Sequence, residues 1–372
     1  MPATEKQAMH DKDNYALPLK RIDHIELYVG NALHTAHYFC TAFGFTKTAY
    51  AGLETGVRDR LSIVLEQNNV RLVLTSPLTP EGDIAQHIGK HGDGIKDIAF
   101  LTDDAVEVFD EAVKRGAVAM GKPAVFRDRN GEAVKATISG CGDTVHSFIT
   151  RDKYEGSFFP DYHPAINKRS YKSCGLEAID HVAFGLEPGT LSRWVEFYEQ
   201  VFGFYQSHQE DVFTEYSGMN TKVVQNGSGS VRFPMMEPVP GKRKSQIEEY
   251  LIYHRGPGVQ HIAITSEDII STIRALRHNC VEFLPIPDAY YDTVKDRIKY
   301  IDMEIDNIRE LKILADRDSW GYLLQIFTKH LQSRPTVFME VIQRMGARGF
   351  GGGNIKALFE AIEREQAIRG NL

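Results

Sequence analysis

The sequence has few cysteines, no long hydrophobic run and no extended basic tract, and each absence argues against a class of protein. Only 4 of the 372 residues are cysteine, and they are scattered without a CxxC pair, which disfavours a disulfide framework or a zinc ribbon. No apolar run reaches the length of a membrane span, and the polar N-terminal residues lack a signal-peptide core. The net charge is −7, and the basic run Lys242–Lys244 is short. We therefore expect a cytoplasmic protein that binds neither membranes nor nucleic acids.

What the sequence does contain is an internal repeat. The stretches Arg21–Val29 and Ala178–Phe184 share the pattern Ile-Asp-His, and each precedes a helical segment that ends in Phe-Gly-Phe. Gly92–Ala99 likewise matches Gly256–Ala263. Repetition and length together predict two related halves, each large enough for its own core. We place the halves at residues 17–153 and 176–372, with a surface linker over residues 154–175.

Three candidate metal ligands are spaced almost evenly in the second half: His181, His261 and Glu340. Each lies in an apolar, β-branched run, which predicts a strand residue that points into a cavity. Two imidazoles and one carboxylate hold Fe(II) on one face and leave the other face open for substrate and dioxygen. We therefore predict one Fe(II) per chain, and the even spacing suggests that each structural module contributes one ligand.

The first half lacks this set of ligands. Asp97 stands where the second half has His261, and no clear counterpart of Glu340 is present. The first half is therefore predicted to be a degenerate, non-catalytic copy, in which His24 is a packed structural residue rather than a metal ligand.

Amides and aromatic residues near the ligand strands are candidates for a substrate pocket. An amide in an otherwise apolar strand needs a hydrogen-bond partner, so Gln260 and Gln325 are candidates for orienting a ligand. Aromatic residues in strands more often belong to a core, which is the alternative role for the aromatic candidates. The full set of polar and wall candidates is Gln246, Gln260, Gln325, Phe327, Phe350 and Ile355.

A glycine-rich loop, Gly349–Asn354, follows the last predicted strand. Apolar residues at helical spacing then predict a helix over residues 355–367, with Asn354 as its N-cap. A glycine hinge and an amphipathic helix just after a metal ligand are typical of a lid over a cavity. An ordinary C-terminal packing helix is the alternative.

Several motifs together resemble one family, that of 4-hydroxyphenylpyruvate dioxygenase and 4-hydroxymandelate synthase, which has the vicinal-oxygen-chelate fold. The resemblance covers nearly the whole chain, and its motifs are His91–Gly94, Lys242–Tyr250, Gly258–Ala263, Leu323–Lys329, Arg334–Glu340 and Gly349–Asn354. It implies an α+β fold in which two tandem βαβββ-type modules per half form glyoxalase-like open barrels, with a C-terminal lid helix. It also implies a homodimer or homotetramer.

The same resemblance implies roles for individual residues. His181, His261 and Glu340 would hold the iron, and no separate protein acid or base is assigned. The substrate would be a small 2-oxo acid, 4-hydroxyphenylpyruvate, which reacts with dioxygen. Its contacts would be Thr221, Met236, Gln246, Gln260, Gln325, Phe327, Phe350, Asn354 and Ile355.

The two enzymes of this family form different products from the same substrate. The dioxygenase forms homogentisate in tyrosine catabolism, whereas the synthase hydroxylates the benzylic carbon and forms 4-hydroxymandelate. Ile355 and Met236 resemble the synthase, while Pro234 and the run from Leu311 onward resemble the dioxygenase, which we place first. More distant alternatives are an extradiol ring-cleaving dioxygenase, which would need a His or Tyr acid–base near the iron, and a non-catalytic binding protein.

Overall fold

The computed structural model describes residues 15–165, 171–292, 294, 298 and 305–370. In the first half, apolar and polar residues alternate along the strands, so one face of the sheet lines the inside of a barrel. Helices lie against the outer face. The elements are β1 (Leu19–Tyr28), α1 (Ala32–Phe43), β2 (Thr46–Ala51), β3 (Arg60–Gln67), β4 (Val70–Pro77), α2 (Asp83–His91), β5 (Gly94–Thr102), α3 (Ala105–Lys114), β6 (Ala119–Asp128), β7 (Gly131–Ser139), β8 (Val145–Thr150) and β9 (His163–Pro164).

Among the described residues, the second half repeats the same order of strands and adds a C-terminal helix and, before its last three strands, two short helices. Its elements are β10 (Ile179–Gly185), α4 (Leu191–Phe202), β11 (Tyr205–Phe213), β12 (Gly218–Gln225), β13 (Arg232–Val239), α5 (Gln246–His254), β14 (Gly258–Thr265), α6 (Ile269–His278), α7 (Ala289–Asp292), α8 (Ile305–Leu311), β15 (Leu314–Arg317), β16 (Tyr322–Phe327), β17 (Phe338–Met345) and α9 (Gly352–Ile368).

The two sheets have the same topology. The first runs β6-β7-β8-β5-β1-β4-β3-β2, with β9 added at its edge, and the second runs β11-β12-β13-β10-β14-β17-β16-β15. In each sheet the first strands of the two modules, β1 with β5 and β10 with β14, pair antiparallel at the centre. Each half is therefore two βαβββ modules joined side by side, and the predicted α+β fold is confirmed.

The two halves share one hydrophobic core rather than meeting at a polar surface. Buried side chains of α1, β5 and β8 belong to the same apolar cluster as those of α4, β13 and β14. His146 of β8 reaches across this boundary, where its Nε2 lies 2.8 Å from the Tyr198 hydroxyl of α4. Among the described residues, no helix combines the length and apolarity needed to cross a membrane.

The segment predicted as a linker makes extensive contacts where the structure describes it. Phe158 is buried against His24, with ring centroids 5.1 Å apart, and Cys174 is buried beside Gln67. His163 and Pro164 pair with β2. Residues 166–170 of this segment lie outside the described residues.

The C-terminal helix begins earlier than predicted, and its N-cap is Gly351 rather than Asn354. Gly351 has φ of 72°, and a Cβ there would lie 3.0 Å from the Gln325 amide oxygen, so both backbone conformation and space favour glycine. Asn354 lies in the first turn and is fully buried. It does not cap the helix because its side chain bonds to Gln325 instead, 2.8 Å away.

Candidate metal centre

The three predicted ligands converge in the second barrel. His181 lies on β10, His261 on β14 and Glu340 on β17, and β14 is the neighbour of both other strands. The Glu340 Oε2 atom lies 3.2 Å from His181 Nε2 and 3.6 Å from His261 Nε2. One ligand atom from each residue lies within 4.8 Å of the others, and all three residues are buried. Within the described residues this is the one such group of three.

The expectation of one ligand per module is wrong. β14 and β17 belong to the same βαβββ module, so His261 and Glu340 come from one module and His181 from the other. His261 and Glu340 are close in space because β14 and β17, the first and last strands of their module, are paired. The even spacing of the ligands along the chain therefore does not mean one ligand per module.

The hydrogen bonds of the imidazoles orient their Nε2 atoms toward Glu340. His181 Nδ1–H donates to Asp180 at 2.7 Å, and His261 Nδ1 lies 3.3 Å from the amide oxygen of Gln260. A partner on Nδ1 fixes the tautomer of a metal-ligating histidine and leaves Nε2 for the metal. The ring of His261 stacks on Phe338, with centroids 4.8 Å apart, which restricts its rotation.

Burial and neighbouring charge act in opposite directions on the two imidazoles. Burial lowers the pKa of His181, but the Glu340 and Asp180 carboxylates outweigh it and raise that pKa above its ordinary value. Burial lowers the pKa of His261 far below its ordinary value, and the neighbouring His181 lowers it further. The two ligands therefore differ in their surroundings: His181 has a carboxylate on Nδ1, whereas the Nδ1 atom of His261 faces an amide oxygen.

A buried ion network holds Asp180 behind His181. Arg344 donates to both Asp180 oxygens, at 2.7 and 2.9 Å, and Arg232 donates to one at 3.2 Å. Burial raises the pKa of Asp180, but Arg344 and His181 lower it well below the usual range. Arg344 also donates to the Gly349 carbonyl at 2.6 Å, so one side chain ties the ligand's partner to the glycine-rich loop.

A second hydrogen-bond chain orients Glu340. Gln325 donates to Glu340 Oε1 at 2.9 Å, and Asn354 donates to the Gln325 oxygen at 2.8 Å. Tyr290 in turn donates to the Asn354 oxygen at 2.7 Å. The carboxylate is therefore fixed through one oxygen, while the other faces the two imidazoles. The helix α9 is part of this support because Asn354 lies in its first turn.

A small cavity lies beside the three ligands. The space open to the centre of a water-sized sphere is about 40 Å³. Eight of the nine predicted substrate contacts line it together with the ligands, and Asn354 lies behind them against Gln325. The eight are Thr221, Met236, Gln246, Gln260, Gln325, Phe327, Phe350 and Ile355.

Two polar atoms of the cavity wall have no hydrogen-bond partner among the described residues. They are the Thr221 hydroxyl and the Gln246 amide oxygen, and both are buried. The Gln246 amide nitrogen has only the Met219 sulfur, 3.9 Å away. Buried polar groups in a folded protein are nearly always paired. These two atoms therefore indicate a polar ligand at this end of the cavity.

Five further wall residues were missed by sequence reasoning: His208, Met219, Val223, Pro234 and Leu358. His208 lies on β11, 6.2 Å from the Phe350 ring by centroids, and its Nε2 is 3.5 Å from Glu210. β11 reads as a polar surface strand and was not predicted. Which side chains of a polar edge strand face the cavity depends on how the sheet curves around the site, so the sequence alone does not identify them.

The donor set fits Fe(II) or a similar divalent transition metal. Two neutral-tautomer Nε2 atoms and a carboxylate oxygen lie on one side, and the cavity occupies the other side. This is the arrangement by which non-haem iron oxygenases bind the metal and leave positions for ligands. The partners on Nδ1 and on Glu340 Oε1 supply the outer support that such sites require.

Comparison with known proteins agrees with this geometry. A family model described as the Glyoxalase/Bleomycin resistance protein/Dioxygenase superfamily matches residues 21–147 and 178–326. The chain is 42% identical to a 4-hydroxyphenylpyruvate dioxygenase of Dictyostelium discoideum, over 95% of this chain and 100% of that one. It is 40% identical to one of Yarrowia lipolytica over 100% of both chains. This chain belongs to the 4-hydroxyphenylpyruvate dioxygenase family.

A solved structure extends the comparison to the sister activity of the family. A mutant of 4-hydroxymandelate synthase from Streptomyces coelicolor superposes with a TM-score of 0.84 and 39% identity, over 94% of this chain and 99% of that one. The predicted family and vicinal-oxygen-chelate fold are therefore confirmed, as is the prediction of a dioxygenase-class enzyme. The identities to dioxygenase and synthase are close, so identity alone does not separate the two products.

Proposed function

We propose that this protein is an Fe(II)-dependent enzyme that converts 4-hydroxyphenylpyruvate and dioxygen to homogentisate and carbon dioxide. The observation that carries the proposal is the buried His181, His261 and Glu340 cluster open to a cavity with aromatic walls. Full-length similarity to 4-hydroxyphenylpyruvate dioxygenases supports the choice of substrate. Bound iron would supply the binding of the 2-oxo acid group and the activation of dioxygen.

The chain's own residues would bind and orient the substrate. Phe327 and Phe350 form aromatic walls next to the ligands, since Phe350 meets the His181 ring edge-on at 5.2 Å. The unpaired Thr221 hydroxyl and Gln246 oxygen offer partners to the polar ends of the substrate. Such fixed contacts hold the reacting atoms in place, and a small displacement is enough to change the outcome.

The C-terminal helix would exclude water during turnover. Ile355 and Leu358 of α9 line the cavity, and Glu363 of the same helix accepts hydrogen bonds from Thr214 and Ser217. The cavity of about 40 Å³ is small for a molecule with an aromatic ring and a 2-oxo acid chain. We therefore propose that α9 moves outward to admit the substrate and returns to close the site.

The second candidate product is 4-hydroxymandelate. Met236 and Ile355 favour it, because they pack in one apolar cluster with Phe359 and make the wall opposite the ligands aliphatic. An aliphatic wall lets the substrate ring lie in a different place from an aromatic wall, and that position decides which carbon is oxidised.

The product is identified by incubating Fe(II)-loaded protein with 4-hydroxyphenylpyruvate in air. The two products are isomers, so chromatographic retention against authentic standards separates them where mass does not. Homogentisate is the expected product, and 4-hydroxymandelate would replace the proposal with the synthase. Absence of turnover with iron bound would contradict both.

Ile355→Phe tests the wall directly. If the protein forms any 4-hydroxymandelate, the aromatic side chain should shift the product ratio toward homogentisate. Leu33→Phe, at an exposed position far from the cavity, is the matched control and should leave the ratio unchanged. An unchanged ratio in Ile355→Phe would remove Ile355 from the argument.

We also propose a cytoplasmic homodimer or homotetramer that assembles through the first barrel. Support comes from the edge strand β6 and the residue before it, where Val118, Met120 and Val125 are 62%, 60% and 48% exposed. Exposed apolar residues along one edge are typical of an interface. Val125→Glu should dissociate the assembly in analytical ultracentrifugation, and a monomeric wild-type protein would contradict this proposal.

A further inference from the structure

The first barrel contains a cavity that is much larger than the one at the metal centre. It measures about 620 Å³, against about 40 Å³ beside the ligands, by the space open to the centre of a water-sized sphere. His24, Glu26 and Tyr28 of β1 form part of its wall. His24 is the residue that corresponds to the iron ligand His181, so the cavity occupies the duplicate of the catalytic position.

This cavity has its own cover, built differently from that of the second barrel. In both barrels the segment after the last strand folds back over the opening: α9 after β17, and residues 158–162 after β8. Phe158 packs on His24, and Tyr162 packs on Phe158 with ring centroids 4.9 Å apart. The helix fills its cavity with Ile355 and Leu358, whereas the shorter segment lines a wall and leaves the interior open.

The interior of the first barrel has an excess negative charge. Lys135 donates to Asp97 at 3.3 Å, so those two charges offset one another. Glu26 accepts one hydrogen bond, from Thr75 at 2.5 Å, and Glu26, Tyr28 and Lys135 all line the cavity. Burial and the Glu26 carboxylate raise the pKa of Tyr28, so its hydroxyl stays protonated. Among the described residues, no hydrogen bond joins the Glu26 carboxylate to a cation, and the nearby Lys135 ammonium, which also acts on Glu26 by charge, is bonded to Asp97.

The mouth of the cavity is acidic as well. Acidic residues outnumber basic ones in the whole wall, with Glu26, Asp59, Glu81, Asp83 and Asp161 against Arg60, Lys122 and Lys135, and Arg60 already pairs with Asp59. A cleft of one sign raises the local concentration of ligands of the opposite sign. The anionic 2-oxo acid of the catalytic site is therefore disfavoured here, and a cation is favoured.

We infer that the first barrel is a second small-molecule site, which binds a small organic amine. Its ammonium group would lie at Glu26, and its apolar body would lie against the rings of Phe158 and Tyr162. A carboxylate next to aromatic rings is the combination that recognises organic ammonium groups, through charge pairing and cation–π attraction. The inference does not depend on the reaction of the second barrel.

The test is isothermal titration of the full-length protein with tyramine. Its matched probe is 4-hydroxyphenylethanol, which has the same body and a hydroxyl in place of the ammonium. We expect one tyramine per chain, at least tenfold weaker binding of the neutral probe, and at least tenfold weaker binding of tyramine to Glu26→Gln. The neutral probe should bind Glu26→Gln and wild type equally.

Two cavity-filling variants locate the site. Ala124→Trp places a large ring in the first cavity at an exposed wall position, and Ile355→Trp does the same in the second cavity. Tyramine binding should be lost in Ala124→Trp and unchanged in Ile355→Trp. Because Ala124→Trp removes no charge, it also covers the case in which Glu26→Gln fails to fold.

Three results would overturn the inference. They are the absence of saturable tyramine binding at millimolar concentration, equal binding of tyramine and its neutral analogue, and loss of binding in Ile355→Trp rather than in Ala124→Trp. The last would place tyramine in the catalytic cavity.

Discussion

The two barrels have the same sheet and place different chemistry at equivalent positions of it. His24 pairs with Ala99 across the first sheet as His181 pairs with Ala263 across the second. By the same register, Asp97 corresponds to His261, and Ser147 corresponds to Glu340. The replacement of His261 by Asp97 was already evident from the sequence. The second replacement was found only from strand pairing, because β8 has little resemblance to β17.

The comparison shows how a barrel dispenses with a metal. Lys135 corresponds to Gln325 by register. In the first barrel Lys135 and the Ser147 hydroxyl both donate to Asp97, so an ammonium group provides the positive charge among the converging side chains. In the second barrel Gln325 is neutral and only orients Glu340. Because the Lys135 ammonium offsets Asp97, the position that corresponds to the metal centre needs no metal cation.

A second pair of positions shows why the catalytic cavity has unpaired polar atoms. Ser62 and Thr75 correspond to Thr221 and Met236. The two hydroxyls of the first barrel bond to each other at 2.8 Å. Met236 cannot bond in the same way, so the Thr221 hydroxyl has no partner among the described residues. When one hydroxyl of such a hydrogen-bonded pair is replaced, the remaining hydroxyl becomes available to bind a ligand.

The largest expected effect is at the metal centre. His261→Ala should lose stoichiometric iron and lower turnover by more than about 100-fold, since even outer partners of such ligands are worth 10- to 100-fold. Asp97→Asn, at the corresponding position of the first barrel, should keep one iron per chain. Metal analysis after anaerobic loading measures both. Iron lost equally from the two variants would contradict the assignment of the site to the second barrel.

A pH effect should come from a histidine that the first barrel uses for packing. Burial lowers the pKa of His146 to about 4. The unfolded chain takes up this proton below about pH 6.5, so stability is full above that pH and falls as the pH drops toward 4. The loss should be about 3 kcal/mol from this residue.

Denaturant titrations at pH 7 and pH 5 measure the part of this loss that falls between those pH values, about 2 kcal/mol. His146→Gln should be less stable at pH 7 but should lose less stability between the two pH values. His34→Gln, at an exposed helix position, is the control and should behave like wild type. An unchanged pH dependence in His146→Gln would refute the assignment.

The two Asp–His pairs should differ in their effect on iron. Asp180→Asn weakens the support of His181, so we expect iron affinity to fall about 10- to 100-fold. Asp23 supports His24 in the same way and is itself paired with Arg71 and Arg151, so Asp23→Asn should lower only stability. Competition with a chelator gives the affinities, and melting temperatures give the stabilities. Equal iron affinities in the two variants would contradict a positioning role for Asp180.

The smallest effect is expected at the hydroxyl pair. Thr75→Val should destabilise the protein by about 1–2 kcal/mol, because it removes the buried hydrogen bonds of Thr75 to Ser62 and to Glu26. Thr221→Val removes a hydroxyl that makes no hydrogen bond within the described chain, so stability should change by less than about 0.5 kcal/mol. It should instead raise the KM. A stability loss in Thr221→Val as large as that in Thr75→Val would show that Thr221 is paired within the chain.

Much of the fold and of the ligand set could be predicted from the sequence. His181, His261 and Glu340 lie in short apolar runs whose surroundings repeat, and strands buried on both faces leave a strong local pattern. The strands β11, β12 and β15 and the helix α5 were not predicted, because short elements and strands rich in polar residues have weak patterns. The N-cap role of Asn354 was wrong because a tertiary hydrogen bond to Gln325 outweighs the local preference.

The sequence by itself determined the duplication, the ligand types and the loss of His261's counterpart, since these depend on residue identity and periodicity along the chain. Only the tertiary structure decided which residues share a cavity and which polar atoms lack partners. It also showed that His261 and Glu340 come from one module, and that the first barrel contains the larger cavity. These properties depend on strand register and on what folds over each barrel, and contacts between distant parts of the chain set both.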